Sequence, residues 1–183
     1  MSNTPVNPSR RGFFTATILT HEGREQVKKQ LTRRGLYPPG LLSIASAENC
    51  LECTGICADS CPQNIISLHS KEHQYYGQPY LDFSNNGCTF CNECNHACPA
   101  ISHKLPGPDK AIIGKAHLDK DVCHAWNGII CMSCYSVCPD KLYKFDKRRK
   151  VSIDQSPCNG CGFCIRVCPA SAISIISLNA NQT

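Results

Sequence analysis

Cys158-Asn159-Gly160-Cys161-Gly162-Phe163-Cys164-Ile165-Arg166-Val167-Cys168-Pro169 is the stretch that decides the fold. Its spacing, C-x2-C-x2-C-x3-C-P, lets three thiolates turn around one corner of an iron-sulfur cubane while the fourth reaches away. Moving outward, Cys88, Cys91, Cys94 and Cys98 repeat the same spacing before Pro99. Cys50, Cys53, Cys57 and Cys61 carry one additional residue before Pro62, and Cys123, Cys131, Cys134 and Cys138 open with a seven-residue gap before Pro139. The 16 cysteines of the 183-residue chain are thereby used up with none left over. This arithmetic predicts four clusters of the 4Fe-4S type.

Two other uses of cysteine fit less well. Structural zinc takes C-x2-C pairs separated by roughly 12 to 20 residues, whereas here each quartet is crowded into one short segment. A disulfide scaffold needs an oxidising compartment, which the N-terminus does not indicate. Cluster ligation instead requires thiolates and reducing conditions during assembly.

From residue 49 the chain reads as a duplication, because Cys50 and Cys123 lie 73 positions apart and Cys88 and Cys158 lie 70 apart. Strand signals of a hydrophobic-x-hydrophobic kind occur at Asn64 to His69, Tyr80 to Phe83, Leu142 to Phe145, Val151 to Asp154 and Ala172 to Ile176. With short helices expected to start near each Cys-Pro, this describes an α+β fold of tandem two-cluster ferredoxin-like units packed around 4Fe-4S clusters. The expected organisation is an N-terminal arm at 1–48, partly helical or disordered, a first unit at 49–110 and a second at 111–183. The arm's candidate helix runs from Glu22 to Arg34 and ends at Gly35 and Pro38-Pro39-Gly40.

In two-cluster ferredoxins the fourth cysteine of each run ligates the partner cluster. Sequential pairing then gives Cys50, Cys53, Cys57 and Cys98 to one cluster and Cys88, Cys91, Cys94 and Cys61 to the next. In the second unit Cys123, Cys131, Cys134 and Cys168 form one set and Cys158, Cys161, Cys164 and Cys138 the other. A nested scheme, quartet one with four and two with three, is the alternative; the two hairpin-like connections favour sequential pairing.

The formal charge of +5 belongs to the metal-free chain. A 4Fe-4S core of about +2 with four thiolates adds about −2, so four clusters bring the loaded protein to about −3. That weakens a nucleic-acid reading. Mean hydropathy of −0.26 argues against a large aliphatic core, so the clusters would serve as the core and the metal-free chain should be largely unfolded. Ser9-Arg10-Arg11-Gly12-Phe13-Phe14 resembles a twin-arginine export signal, but the apolar run from Phe13 to Leu19 is short and His21 to Glu25 follows at once. A cytoplasmic location is therefore expected. No other segment approaches the roughly 18 apolar residues of a membrane span, so no stable membrane insertion is expected.

Within the loops, Gly55 suits the bulge that the first quartet's additional residue demands, and Gly160 and Gly162 suit close approach of backbone to sulfur. Trp126 in the seven-residue gap either covers a cluster or packs ordinarily, and Phe90, Tyr135 and Phe163 either screen clusters or fill space. The first and third quartets are expected to hold their clusters less firmly. Histidines such as His96 and His124 are read as surface or packing residues, since sixteen cysteines complete four sites. Lys141 to Lys150 holds six basic residues in ten positions; its plain reading is a hairpin kept soluble by charge, and its functional one a docking patch for an acidic redox partner. No nucleotide-binding glycine loop, catalytic triad or paired-carboxylate constellation stands out, so the chain is read as a carrier without a substrate-converting site.

Taken together, the Ser9-Arg10-Arg11-Gly12 start, the Pro38-Pro39 segment, the third quartet with its long gap and the closing Cys158 to Cys164 loop resemble the ferredoxin-type NapF family of the periplasmic nitrate reductase system. The spacing around Cys57 departs from that family's pattern. The resemblance implies a cytoplasmic protein with four 4Fe-4S clusters whose partner is the catalytic molybdenum subunit of the nitrate reductase before export. It would help install or reduce that subunit's iron-sulfur centre. The alternative is an electron-relay subunit of a respiratory oxidoreductase complex.

Overall fold

The computed structural model describes residues 35–40, 50–99 and 111–178. Its elements are short: α1 (Ile56–Asp59), β1 (Ile66–Leu68), β2 (Pro79–Leu81), α2 (Glu93–Ala97), β3 (Lys115–Leu118), α3 (Ser133–Val137), β4 (Tyr143–Phe145), β5 (Val151–Ile153), α4 (Phe163–Arg166) and β6 (Ile173–Ile176). The order helix, strand, strand, helix occurs in 50–99 and again in 123–168. In each half the two helices pack on one another, α1 against α2 and α3 against α4.

The strands form three two-stranded antiparallel sheets. β1 and β2 pair with Ile66 opposite Leu81, β4 and β5 with Tyr143 opposite Ile153, and β3 and β6 with Leu118 opposite Ile173. All five strand signals read from the sequence fall on strands. β3 was not among them: Lys115-Ala116-His117-Leu118 alternates with period two, but alanine, lysine and histidine carry little strand preference. Its pairing with β6 brings the chain on either side of the second half together.

The hairpin turn between β4 and β5 is built by Asp146, whose carboxylate accepts the backbone N–H groups of Arg148 and Lys150, each at 2.8 Å. Arg149 takes a left-handed φ of 59° there. The basic run thus covers β4 and the turn, and Asp146 to Arg149 form its exposed tip.

The helices depart from expectation. They do not start at the Cys-Pro pairs; each precedes its pair and carries the third cysteine of its quartet, Cys57, Cys94, Cys134 or Cys164. The proline is the reason, because a residue before proline is steered out of the α region. Cys98 and Cys138, with ψ of 115° and 117°, are the extended C-caps of α2 and α3. Proline therefore stops these helices rather than starting new ones.

Where the arm is described it packs on the first half: Tyr37 and Pro38 are buried, and the Leu81 N–H donates to the Leu36 carbonyl at 2.7 Å. The Tyr37 hydroxyl donates to the Gln78 side chain. The Glu22 to Arg34 helix and the twin-arginine-like start lie outside the described residues.

The apolar core is small, as the composition required. Ile65, Ile66, Leu81 and Phe83 fill the first half; Ala116, Tyr143, Val151, Ala172, Ile173 and Ile175 fill the second, all joined to the buried cysteines. The halves interlock through close backbone approach. The Cys88 N–H donates to the Cys161 carbonyl at 2.7 Å, and Arg166 donates to the Asn85 carbonyl at 3.1 Å. Gly162, at φ +83°, sits where a Cβ would fall 2.3 Å from the Phe83 ring, and one on Gly87 would fall 2.6 Å from the Phe163 ring.

Gly162→Ala therefore combines backbone strain with a clash across the junction and is expected to cost more than about 2 kcal/mol. Gly128→Ala, at φ +82° with no neighbour within 4 Å, should cost only the left-handed strain, roughly 1 kcal/mol. Unfolding midpoints of the two anaerobically loaded variants check this, and equal losses would show that the Phe83 contact is not limiting.

Candidate metal centre

Each quartet is shaped by the residue two positions before its third cysteine. Gly55, Asn92 and Gly162 there are left-handed, at φ of 82°, 70° and 83°, and cap the N-termini of their helices. This reverses the chain so that the third thiol turns back towards the first two. The additional residue of the first quartet is absorbed before Gly55, where a Cβ would meet a Leu68 methyl at 2.4 Å. In the third quartet the corresponding residue, Met132, has φ −132° and no left-handed turn. Its seven-residue gap instead folds on itself: the Asn127 side chain donates to the carbonyls of Asp121 and Cys123, both at 2.9 Å. Trp126 belongs to this packing. Its indole N–H donates to the Val151 carbonyl at 2.8 Å, while the Lys120 and Lys150 ammonium groups sit 4.4 and 4.6 Å from its ring centre.

The thiols gather across quartets rather than within them alone. Cys57 lies in the field of Cys53, Cys98 and Cys50, and Cys50 in that of Cys53 and Cys98. Cys94 and Cys88 both feel Cys61 and Cys91. In the second half Cys161 feels Cys158 and Cys138, and Cys164 feels Cys161 and Cys158. Cys131 is the thiol nearest in influence to Cys134. Cys123 is buried where the chain leaves β3, and Cys168 follows α4 with its sulfur accepting the Ala172 N–H at 3.2 Å.

These groups are costly to ionise where they stand. Burial first, and then repulsion between neighbouring thiolates, pushes Cys57, Cys88 and Cys164 up to about 11 and Cys94 and Cys134 up to about 12. Cys50 and Cys161 are raised for the same reasons. A cationic inorganic core reverses that balance. Backbone donors are already aimed at sulfur: Phe90 N–H at Cys88 and Ala116 N–H at Cys158, both 3.4 Å. Such N–H groups are the partners a cluster-bound thiolate takes. The donor set therefore fits iron-sulfur clusters.

The aromatic residues divide between roles. Phe163 packs against Gly87 at the junction of the halves, and Tyr135 meets the Phe145 ring edge-on at 5.9 Å. His69 and His73 are buried, their rings stacked at 3.8 Å beneath Tyr80 and remote from a ligand role. One residue beside the thiols escaped the sequence reading. Tyr143 is buried among Cys164, Cys134 and Cys138. The signal was available: it stands fifth after Cys138, where Ile66 and Ile173 stand fifth after Cys61 and Cys168.

Similarity to known proteins agrees with this chemistry. The family profile for a 4Fe-4S dicluster domain matches residues 49–101 and 129–172, which takes in every quartet cysteine except Cys123. The chain is 31% identical to the methylamine utilization ferredoxin-type protein MauM of Methylophilus methylotrophus, over 93% of this chain and 86% of that one. It is 29% identical to the ferredoxin-type protein NapF of Escherichia coli, covering 96% and 99%. With the ferredoxin-type protein NapG of Haemophilus influenzae it shares 28% identity over 98% and 75%. Among the described residues no helix is long and apolar enough to cross a membrane. The chain belongs to the ferredoxin-type iron-sulfur proteins with 4Fe-4S dicluster domains, the family that includes NapF and NapG.

Proposed function

We propose that the chain is a cytoplasmic accessory electron carrier with four 4Fe-4S clusters arranged in series. Cys50, Cys53, Cys57 and Cys98 hold the first cluster and Cys88, Cys91, Cys94 and Cys61 the second. Cys123, Cys131, Cys134 and Cys168 hold the third, and Cys158, Cys161, Cys164 and Cys138 the fourth. The two units span 49–110 and 111–183, with residues 35–40 attached to the first. The exchange of Cys61 and Cys98 between neighbouring thiol groups supports this pairing over the nested one.

The observation that carries the serial reading is the influence between thiols of neighbouring sets, one pair of which spans the two halves. Cys94 of the second set feels Cys57 of the first, Cys88 of the second feels Cys161 of the fourth, and Cys134 of the third feels Cys164 of the fourth. The order is then first, second, fourth, third. Bound clusters would supply reversible one-electron transfer; the thiols of each set would hold them. The hydrogen bond from Cys88 N–H to the Cys161 carbonyl couples the middle pair.

The client is proposed from resemblance. NapF and NapG relatives support service to the catalytic molybdenum subunit of a periplasmic nitrate reductase, loaded or reduced in the cytoplasm before export. The exposed cations Lys141, Lys144, Lys147, Arg148 and Arg149 would steer an acidic client to the third-cluster end. The similarity to MauM favours a second reading, a standing electron relay for another oxidoreductase.

Anaerobically purified protein is expected to hold roughly 16 iron and 16 acid-labile sulfide per chain. Cys161→Ser should lose about four of each; unchanged iron would contradict its place as a ligand. Deleting the gene should leave exported nitrate reductase short of iron-sulfur centre and activity, and the loaded protein should co-purify with the cytoplasmic precursor. A fully loaded, active reductase in the deletion strain would overturn the maturation reading. Replacing Lys147, Arg148 and Arg149 with glutamate should slow capture of that precursor at least tenfold at low salt while iron content stays constant, and an unchanged rate removes the basic hairpin from docking.

A further inference from the structure

Tyr143 opens β4, held opposite Ile153. Its residue is only 3% exposed, and its hydroxyl oxygen is fully buried with no hydrogen-bond partner in the protein. Cys164 is the group it feels most strongly, followed by Cys134 and Cys138. The Cys164 sulfur is the acceptor this hydroxyl faces, close enough to act on it as a hydrogen-bond partner, although the contact falls short of ordinary hydrogen-bond geometry. A buried hydroxyl is rarely left unpaired, and the groups it faces here are sulfurs that a cluster would turn into good acceptors.

Repetition within the chain isolates what the hydroxyl adds. Fifth after its Cys-Pro cysteine, the first half places Ile66 at the start of β1 and the close of the second half places Ile173 at the start of β6. Both are buried apolar residues in strands, like Tyr143. The position needs bulk in a strand, which isoleucine supplies at the equivalent places; what tyrosine adds to that bulk is a hydroxyl.

We propose that the Tyr143 hydroxyl donates a hydrogen bond to sulfur of the cluster held by Cys158, Cys161, Cys164 and Cys138, raising its reduction potential above that of the corresponding cluster in the first half. This rests on the four-cluster reading above. Adding an electron makes a cluster more negative, so a donor aimed at its sulfur stabilises the reduced state more than the oxidised one. The counterpart cluster of Cys88, Cys91, Cys94 and Cys61 has Ile66 at this position and gains nothing. The difference biases electrons across the Cys88–Cys161 contact into the second half.

The test uses the full-length, anaerobically loaded protein, with iron and sulfide measured first. Low iron in the unsubstituted protein would defeat the four-cluster reading and this inference with it, whereas with about 16 iron present the variants test the inference alone. In Tyr143→Phe, with iron unchanged, potentiometric titration followed by electron paramagnetic resonance should show one reduction step moved to lower potential and the others in place. One exchangeable proton coupling to a reduced cluster, seen by comparing H2O and D2O, should vanish. Incorporation of 3-fluorotyrosine at position 143, a stronger donor of nearly the same volume, should move the same step upward. Unchanged potentials in both variants overturn the proposal. If the phenylalanine variant loses iron, the fluorotyrosine shift and the proton coupling of the unsubstituted protein decide, and absence of either overturns it.

Discussion

Everything in this protein depends on like-charged sulfur ligands being crowded where water is scarce. Burial and mutual repulsion hold thiols such as Cys94 and Cys134 near 12. Without metal, the folded arrangement gains nothing from bringing them together as anions. A cationic core changes the sign of that interaction, and the loss of desolvation becomes a gain in ligation. The apolar core of a few isoleucines, valine and aromatics is too small to organise the chain alone.

That constraint selects the local backbone. Four thiols must face one small body, so the chain has to double back within each quartet. A left-handed residue at Gly55, Asn92 and Gly162 performs the reversal, and a helix of only four or five residues follows, presenting the third thiol. Proline ends the excursion and sends the fourth thiol toward the neighbouring set. Strands are then short because they only link one reversal to the next. Their register is kept by alternation, with Ile173 and Ile175 inward and Ser174 and Ile176 outward.

Cysteine spacing made the chemistry legible, and the strand signals made both hairpins and β6 legible, because each rests on local composition. Gly55 was legible as well, since an additional residue in a tight loop demands a permissive one. The helices were misplaced because proline was read as a helix starter; its effect on the preceding residue is the stronger one in this setting. β3 was hidden because its strand character comes from β6 rather than from its own side chains. The burial of Tyr37 and Pro38 could not be read from a proline-rich stretch that looks solvated until its partners Gln78 and Leu81 are known. Tyr143 was missed because a lone tyrosine carries no signal until it is aligned with Ile66 and Ile173 inside the chain's own repeat.

The order of regular and irregular quartets follows from the junction between halves. Close approach there leaves no room for a Cβ: Gly87 and Gly162 each lie under a phenylalanine of the other half, at 2.6 and 2.3 Å, while within the second half a Cβ on Gly160 would meet the Gly114 backbone at 2.6 Å. Any added residue in the Cys88 or Cys158 loops would push these surfaces apart, so those two quartets are held to the shortest spacing. Among the described residues the glycines of the Cys50 and Cys123 quartets touch no residue of the other half: Gly55 meets Leu68 of its own half and Gly128 meets nothing within 4 Å, so these quartets can lengthen. The first spends its additional residue ahead of Gly55 and recovers the common reversal, whereas the third never makes it, ending its gap in exposed Ile129 and Ile130, with Met132 exposed just beyond Cys131. Variation is thereby confined to the two ends of the proposed series, where electrons must enter or leave through a partner, while the middle is fixed by packing.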